Sequence, residues 1–173
     1  HFGKAGAMLG IYANGLDESP VKSIYDTEEV KSVGNGETFD HDLVGEEEIR
    51  RAVYALSDTV AARMRKHGVK CTTVQVQIKD PNFRVISRQK KTEHPTYLAH
   101  EIRETAMEII KNSWNMKLPL RAITVTGCNL TDERNVTEQI SLFDAPDEKR
   151  EKTEKLEKTL DNLRQRFGKD IIK

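Results

Sequence analysis

The side chains that could do chemistry are scattered, and their spacing favours neither a catalytic nor a metal site. Four acids have polar surroundings but are better explained as linker or helix-capping residues: Asp17, Asp26, Asp40 and Asp42. The histidines show no i, i+4 pairing and no CxxC motif accompanies them, so we expect no zinc site. Cys71 and Cys128 cannot form a disulfide framework, which indicates a reducing compartment.

A strip of positive charge is the clearest chemical signal. The chain is neutral, with 28 basic and 28 acidic residues, yet residues 70–91 hold six basic residues and one acid. The charge balance is −3 over residues 1–29, +4 over residues 30–130 and −1 over residues 131–173. A concentrated basic strip on a neutral chain is typical of a polyanion-binding site, although a solvated hairpin face would give the same pattern.

Hydrophobic periodicity predicts the elements that position this strip. We expect helices at 46–67 and 97–114, with strands at 30–34, 71–79, 83–91 and 120–129. The order β-α-β-β-α-β predicts an α+β fold of the split βαβ type, with a four-stranded sheet. Both helices are apolar on one side only, so both should cover one sheet face and leave the other to water or a ligand.

The uncovered face is expected to be polar and basic. By strand parity it would carry Thr73, Gln75, Gln77, Lys79, Arg84, Arg88, Lys90, Thr124 and Thr126. Phe83 shares the parity of Val85, which would place it on the core side and leave no exposed aromatic for base stacking. Such a face favours duplex backbone only slightly over a small ligand or a protein edge. Ile86 shares the parity of Arg88, so the register there stays open and a bulge would explain it.

Several ordered motifs carry a family resemblance. They are residues 2–6 (FGKAG), 13–17 (ANGLD), 19–21 (SPV), 30–39 (VKSVGNGETF), 83–84 (FR), 87–88 (SR), Arg121 with Val125, and 129–130 (NL). Together they resemble the end of the thumb and the little-finger domain of Y-family (translesion) DNA polymerases, especially the bacterial DNA polymerase IV class. The resemblance covers residues 2–143.

The resemblance implies that the parent protein is a DNA-directed DNA polymerase, a nucleotidyltransferase of lesion bypass and DNA repair. Its palm would hold the carboxylates that bind two Mg²⁺ ions for phosphoryl transfer. Those residues would precede His1, so we expect a fragment without catalytic residues or a cofactor of its own. The chain also opens without a start methionine.

The family's little finger lays its sheet in the major groove and grips both phosphate backbones. Carried over by position, the resemblance assigns DNA contacts to Lys31, Ser32, Gly34, Asn35, Thr38, Arg84, Ser87, Arg88, Lys90 and Arg121. Thr124 stands where the family often has glycine, and Thr126 stands where arginine is common. These departures weaken the last strand's grip or shift it to hydroxyl contacts.

The tail contains a second motif. Five residues resemble the sliding-clamp-binding peptide of bacterial polymerases: Gln139, Ile140, Ser141, Leu142 and Phe143. Two adjacent large apolar side chains would enter a pocket on the clamp, although a short strand closing onto the domain is an alternative. A last amphipathic helix, with Leu156, Leu160, Leu163 and Phe167 in register, should dock on a partner or pair with itself.

The expected organisation is thumb end (1–15), linker (16–29), little finger (30–130), tail with clamp motif (131–147) and C-terminal amphipathic helix (148–173). We expect duplex primer–template DNA and the sliding clamp as partners, in the bacterial cytoplasm, since no apolar run is long enough to span a membrane. Two alternatives remain open. One is a non-catalytic adaptor that recruits partners through the tail, and the other is a ferredoxin-like nucleic-acid-binding module.

Overall fold

The fold is known from a computed structural model that describes residues 2–21, 23, 30–135 and 148–168. Its elements are α1 (Gly3–Ala13), β1 (Ser32–Leu43), α2 (Glu46–His67), β2 (Val69–Lys79), β3 (Val85–Thr96), α3 (Ala99–Ser113), β4 (Leu120–Asp132), a short 3-10 turn (Glu133–Asn135) and α4 (Glu148–Phe167). The predicted split β-α-β-β-α-β arrangement is confirmed. The clamp motif at 139–143 lies outside the described residues.

The four strands form one antiparallel sheet in the order β1-β4-β2-β3. β1 is longer than the predicted strand because it follows β4 from Ser32 to Thr38 and rejoins it, after a register shift, at Leu43. β3 likewise runs on to Thr96 after a register shift between Lys91 and Thr96. β1 and β3 are therefore the two outer strands.

The helix α2 matches its predicted bounds because both ends carry clear signals. Three glutamates occupy its first turn and three basic residues its last, which complements the helix dipole. Gly68 ends it with φ 64°, the left-handed conformation that glycine adopts without strain. Its buried stripe includes Ile49, Val53, Leu56, Val60 and Met64.

The core lies between α2, α3 and one face of the sheet. The sheet contributes Val74, Val76, Ile78, Ile123 and Val125, all almost fully buried. Gly127 continues this face, and a Cβ added there would lie 2.8 Å from the Met64 sulfur, so the close approach of α2 requires glycine. Among the described residues, the helices α2 and α3 therefore lie against one face of the sheet, as the sequence predicts.

The remaining helices lie outside this core. α1 has no buried residue and exposes Phe2, Leu9 and Tyr12. α4 docks on the domain itself through charged residues, while Leu156 and Phe167 stay largely exposed. Within the described part of the chain, none of the helices has the length and apolar character needed to cross a bilayer.

Candidate nucleic-acid interface

The uncovered face of the sheet is a regular array of sixteen residues, which we call the open face. Strand pairing arranges them in four rows: Ser32, Cys128, Thr73, Lys91; Gly34, Thr126, Gln75, Gln89; Gly36, Thr124, Gln77, Ser87; and Thr38, Ala122, Lys79, Val85. Hydroxyl and amide side chains dominate. Lys79 and Lys91 are its cations, and the sixteen positions include neither an acid nor an aromatic residue.

Polar side chains on this face also form hydrogen bonds, either with one another or with the adjacent Asn129. The Gln75 amide nitrogen donates to the Ser87 hydroxyl at 2.7 Å, and the Asn129 amide nitrogen donates to the Thr73 hydroxyl at 2.9 Å. Near one end lies a shallow concavity, bordered by Glu37 of β1, which is outside the sixteen positions, and by the open-face residues Gly36, Thr38, Gln77, Lys79, Ala122 and Thr124. The face is thus a flat, hydrogen-bonding surface with a cation towards each end.

Gly34 and Gly36 leave room for two threonines on the neighbouring strand. A Cβ at Gly34 would lie 2.7 Å from Thr126 Oγ1 and 3.3 Å from Thr126 Cβ. A Cβ at Gly36 would lie 3.1 Å from Thr124 Cβ, with Thr124 Oγ1 closer still. Thr124 and Thr126 therefore fill the space above these glycines.

The outer edge of β1 offers backbone groups beside this face. Arg63 on α2 donates to the Gly34 carbonyl oxygen at 2.9 Å from outside the ladder. The N–H and C=O of one residue lie on the same edge of an antiparallel strand. The Gly34 N–H therefore lies on the outer edge, and by alternation so does the Gly36 N–H.

The register corrects the expected position of the β3 cations. Val76 pairs with Arg88 and Val74 pairs with Lys90, so Arg88 and Lys90 lie on the helix-covered side, where Lys90 bonds to Glu108 on α3. Ser87 lies on the open face. The ladder is regular from Val85 to Lys91, so the bulge expected near Ile86 is wrong.

The turn between β2 and β3 explains this error. The Phe83 N–H bonds to the Asp80 carbonyl at 3.0 Å and Phe83 adopts φ 64°, so the alternation restarts with Val85 opposite Lys79. The placement of Phe83 and Val85 on the core side is therefore wrong. Phe83 is 77% exposed, with its ring centroid 5.9 Å from Lys79 Nζ.

The other predicted contact residues are dispersed. Ser32, Gly34 and Thr38 lie on the open face with Ser87, whereas Asn35 has the opposite parity. Lys31 is exposed just before β1, and Arg84 lies in the turn, where its N–H bonds to Asp80. Arg121 lies at the start of β4, 3.5 Å from an Asp42 carboxylate oxygen, which offsets its charge.

The family resemblance did not assign a DNA contact to two lysines of the open face, Lys79 and Lys91. Lys79 alternates with the buried Val76 and Ile78, so parity alone identified its face, but no family motif selected it. The position of Lys91 depends on the β2–β3 turn. Only the register, in which Lys91 pairs with Thr73, reveals it.

The chain's thiols and acids show no catalytic arrangement among the described residues. Burial raises the pKa of Cys71 to about 12 and also raises that of Cys128, so neither favours a thiolate. Bonds from Arg134 lower the pKa of the half-buried Asp132 to about 2. In the described part of the chain, no group of three or more His, Cys, Asp or Glu side chains could hold a metal ion.

Comparison with known proteins identifies the protein family to which the chain belongs. Residues 30–142 match the impB/mucB/samB family C-terminal domain, and the chain belongs to this family. The predicted membership of the Y family of DNA polymerases, as their C-terminal region, is thereby confirmed.

Individual relatives support the same family assignment. The chain is 40% identical over 166 residues to DNA polymerase IV of Acetivibrio thermocellus, covering 96% of this chain and 41% of that protein. It is 36% identical over 176 residues to DNA polymerase IV of Clostridium kluyveri, covering 99% of this chain and 43% of that protein. The chain thus spans about two fifths of the length of these curated relatives.

Proposed function

We propose that this chain is the DNA-gripping part of a translesion DNA polymerase. Residues 30–130 would form the little finger, and residues 1–15 the end of the thumb. The catalytic palm and its Mg²⁺ ions would belong to the part of the relatives that this chain does not cover. The observation that carries the proposal is an acid-free open face of hydroxyls, amides and lysines, with the Gly34 and Gly36 N–H groups on the outer edge of β1.

The dimensions of the open face suit a duplex. Lys79 and Lys91 lie about six residues apart along the strands, which is roughly 20 Å at about 3.3 Å per residue. The major groove is about 12 Å wide, so a sheet lying across it can reach phosphates on both sides. Hydroxyl, amide and backbone N–H donors contact phosphates without reading sequence. The expected binding is therefore sequence-independent.

Salt dependence tests this function. We expect the chain to bind a primer–template duplex with an affinity that falls as salt rises, because each neutralised phosphate releases counterions. Lys79→Ala combined with Lys91→Ala should flatten the slope of log affinity against log salt by about 1.8, because each phosphate that is no longer neutralised accounts for about 0.9. Lys66→Ala is the control, because Lys66 is an exposed lysine on α2. If the unmutated chain and the double variant gave equal slopes of log affinity against log salt, the proposal that these lysines bind phosphates would be refuted.

The register also separates Ser87 from Arg88. Ser87 lies on the open face and Arg88 on the opposite side. We therefore expect Ser87→Ala to weaken duplex binding more than its small size suggests. Arg88→Ala should leave duplex affinity nearly unchanged. A clear loss of affinity in this variant would mean that the DNA backbone also contacts the outer edge of β3. Fluorescence anisotropy at one fixed salt concentration measures both.

We also propose that Gln139–Phe143 binds a sliding clamp. The support is the sequence motif and its position after the last strand of the sheet. Leu142→Ala with Phe143→Ala should abolish clamp binding in surface plasmon resonance and leave duplex affinity unchanged. Loss of both activities together would favour the adaptor hypothesis, in which the tail carries all measurable function.

A further inference from the structure

The helix α4 contacts the domain through both basic and acidic residues. Arg150 bonds to Glu101 on α3 at 2.9 Å and Lys158 bonds to Glu133 at 3.1 Å, and three acids face α2 and β2.

The three acids, Glu154, Glu157 and Asp161, follow one another at helical spacing. Asp161 accepts two bonds from the Arg65 guanidinium, at 2.5 and 3.1 Å, and Glu157 accepts another from the same group. Lys70 donates to Glu154 at 2.8 Å. Four ionic bonds therefore join α4 to α2 and β2.

The surface that receives these acids is largely enclosed. It consists of Arg65, Lys70, Tyr97 and the Ala99 N–H, and we call it the basic socket. The Arg65 side chain is 6% exposed and the Lys70 side chain 10% exposed. Lys70 Nζ lies 4.7 Å from the centroid of the Tyr97 ring, and the Tyr97 hydroxyl donates to Glu154 at 3.0 Å.

The socket also includes the start of α3. Leu98 occupies the N-cap position of α3 and makes no side-chain capping bond. Glu157 on α4 accepts the Ala99 N–H instead, with both carboxylate oxygens 3.2 Å from the nitrogen. A carboxylate at this position satisfies a free helix N–H and complements the helix dipole. α3 therefore receives its N-terminal cap from a helix about 60 residues later in the chain.

The balance of forces suits reversible docking. Burial raises the pKa of Glu157 even though Arg65 lies beside it, so desolvation of this carboxylate offsets much of the attraction. Buried ion pairs add little net stability, but removing one partner is costly because the other charge stays buried and unpaired. Leu156 and Phe167 are 57% and 62% exposed, so the apolar side of the helix contributes mainly through the half-buried Leu160 and Leu163.

We propose that the basic socket is a receptor for an acidic helix and that α4 is its occupant within the same chain. α4 is held as an ion-pair latch, and it opens without unfolding the sheet and its two helices. The family match ends at residue 142, so α4 lies outside the matched domain while the socket lies within it. The inference does not depend on DNA binding.

Hydrogen exchange of the whole chain tests the latch. Glu157→Gln with Asp161→Asn keeps the side-chain shapes and removes two of the three acidic charges that α4 presents to the socket. We expect the amides of α4 and the Ala99 amide to exchange roughly 10–100-fold faster, because opening becomes easier. Amides of β2 and β4 should keep their parent rates. Glu151→Gln is the matched control, because Glu151 is an exposed acid on the same helix, and it should change nothing.

Three results would overturn the inference. Unchanged α4 exchange in the double variant would mean that the ion pairs do not hold the helix. Faster exchange throughout the sheet would make α4 part of the cooperative core rather than a latch. Protection of α4 that rises with protein concentration would mean that a second copy supplies the helix.

Discussion

The contact between Gly36 and Thr124 allows a sharp test of how the open face is built. A Cβ at position 36 would lie 3.1 Å from Thr124 Cβ and 3.2 Å from Thr124 Cγ2. Rotation of the threonine moves Cγ2 and Oγ1 but leaves Cβ in place, so β1 and β4 would have to separate. Overpacking of this kind costs about 1–3 kcal/mol, and the reduced freedom of the unfolded chain returns about 0.4–1 kcal/mol. We expect Gly36→Ala to lower the free energy of unfolding by about 1–2 kcal/mol.

Thr124→Gly removes the obstructing atoms and should restore much of this loss. A double-mutant cycle in urea, with Gly36→Ala and Thr124→Gly, should give a favourable coupling of about 1 kcal/mol, and Thr124→Ala should restore less because its Cβ remains. Gly10→Ala is a control, since a Cβ there meets nothing within 4 Å. If Gly36→Ala is as stable as the parent, or if the coupling is zero, the steric reasoning fails.

Three further predictions concern the same chain. Iodoacetamide should label Cys128 before Cys71, because Cys71 is buried with its pKa raised to about 12; equal rates in the folded protein would contradict this. The Asp132 carboxyl should titrate near pH 2 by NMR and move towards its ordinary pKa of 3.8 in Arg134→Ala, although the backbone N–H of residue 134 still bonds to it; an unmoved pKa would exclude the Arg134 side chain as the main cause. Because the folded pKa is lowered, any stability from this group is present above about pH 3.8 and lost as the pH falls towards 2. Gly34→Ala should also destabilise the sheet, and adding Thr126→Gly should restore part of the lost stability. Thermal unfolding measures both effects.

The fold could be predicted because its signals are local. The apolar stripe of α2 predicts that helix and its buried side. The alternation of Val74, Val76 and Ile78 does the same for β2, and neither prediction requires knowledge of the tertiary structure. Strand ends were less predictable, since β1 continues beyond residue 34 only where β4 offers a partner. Pairing across the sheet, not propensity, sets that length.

The site was harder because one turn decides the face of a whole strand. A shift of one residue moves every side chain of a strand to the opposite face. The positive φ of Phe83 determines which residues of β3 face each side of the sheet. Phenylalanine rarely adopts a positive φ, so the sequence does not predict it. Parity counted from Arg84 therefore exchanged Ser87 with Arg88. The ion pairs of α4 were also hidden, because they join residues about 90 positions apart.

The strand order has a consequence for how the protein is made. Among the described strands, β1 has β4 as its one neighbour, and Ser32 pairs with Cys128, which lies almost at the other end of the domain in the sequence. A nascent chain therefore carries β1 without its neighbour until β4 has left the ribosome, although β2 and β3 can already form their hairpin. Closing so long a loop is entropically costly, which makes addition of β1 to the sheet a late step in folding.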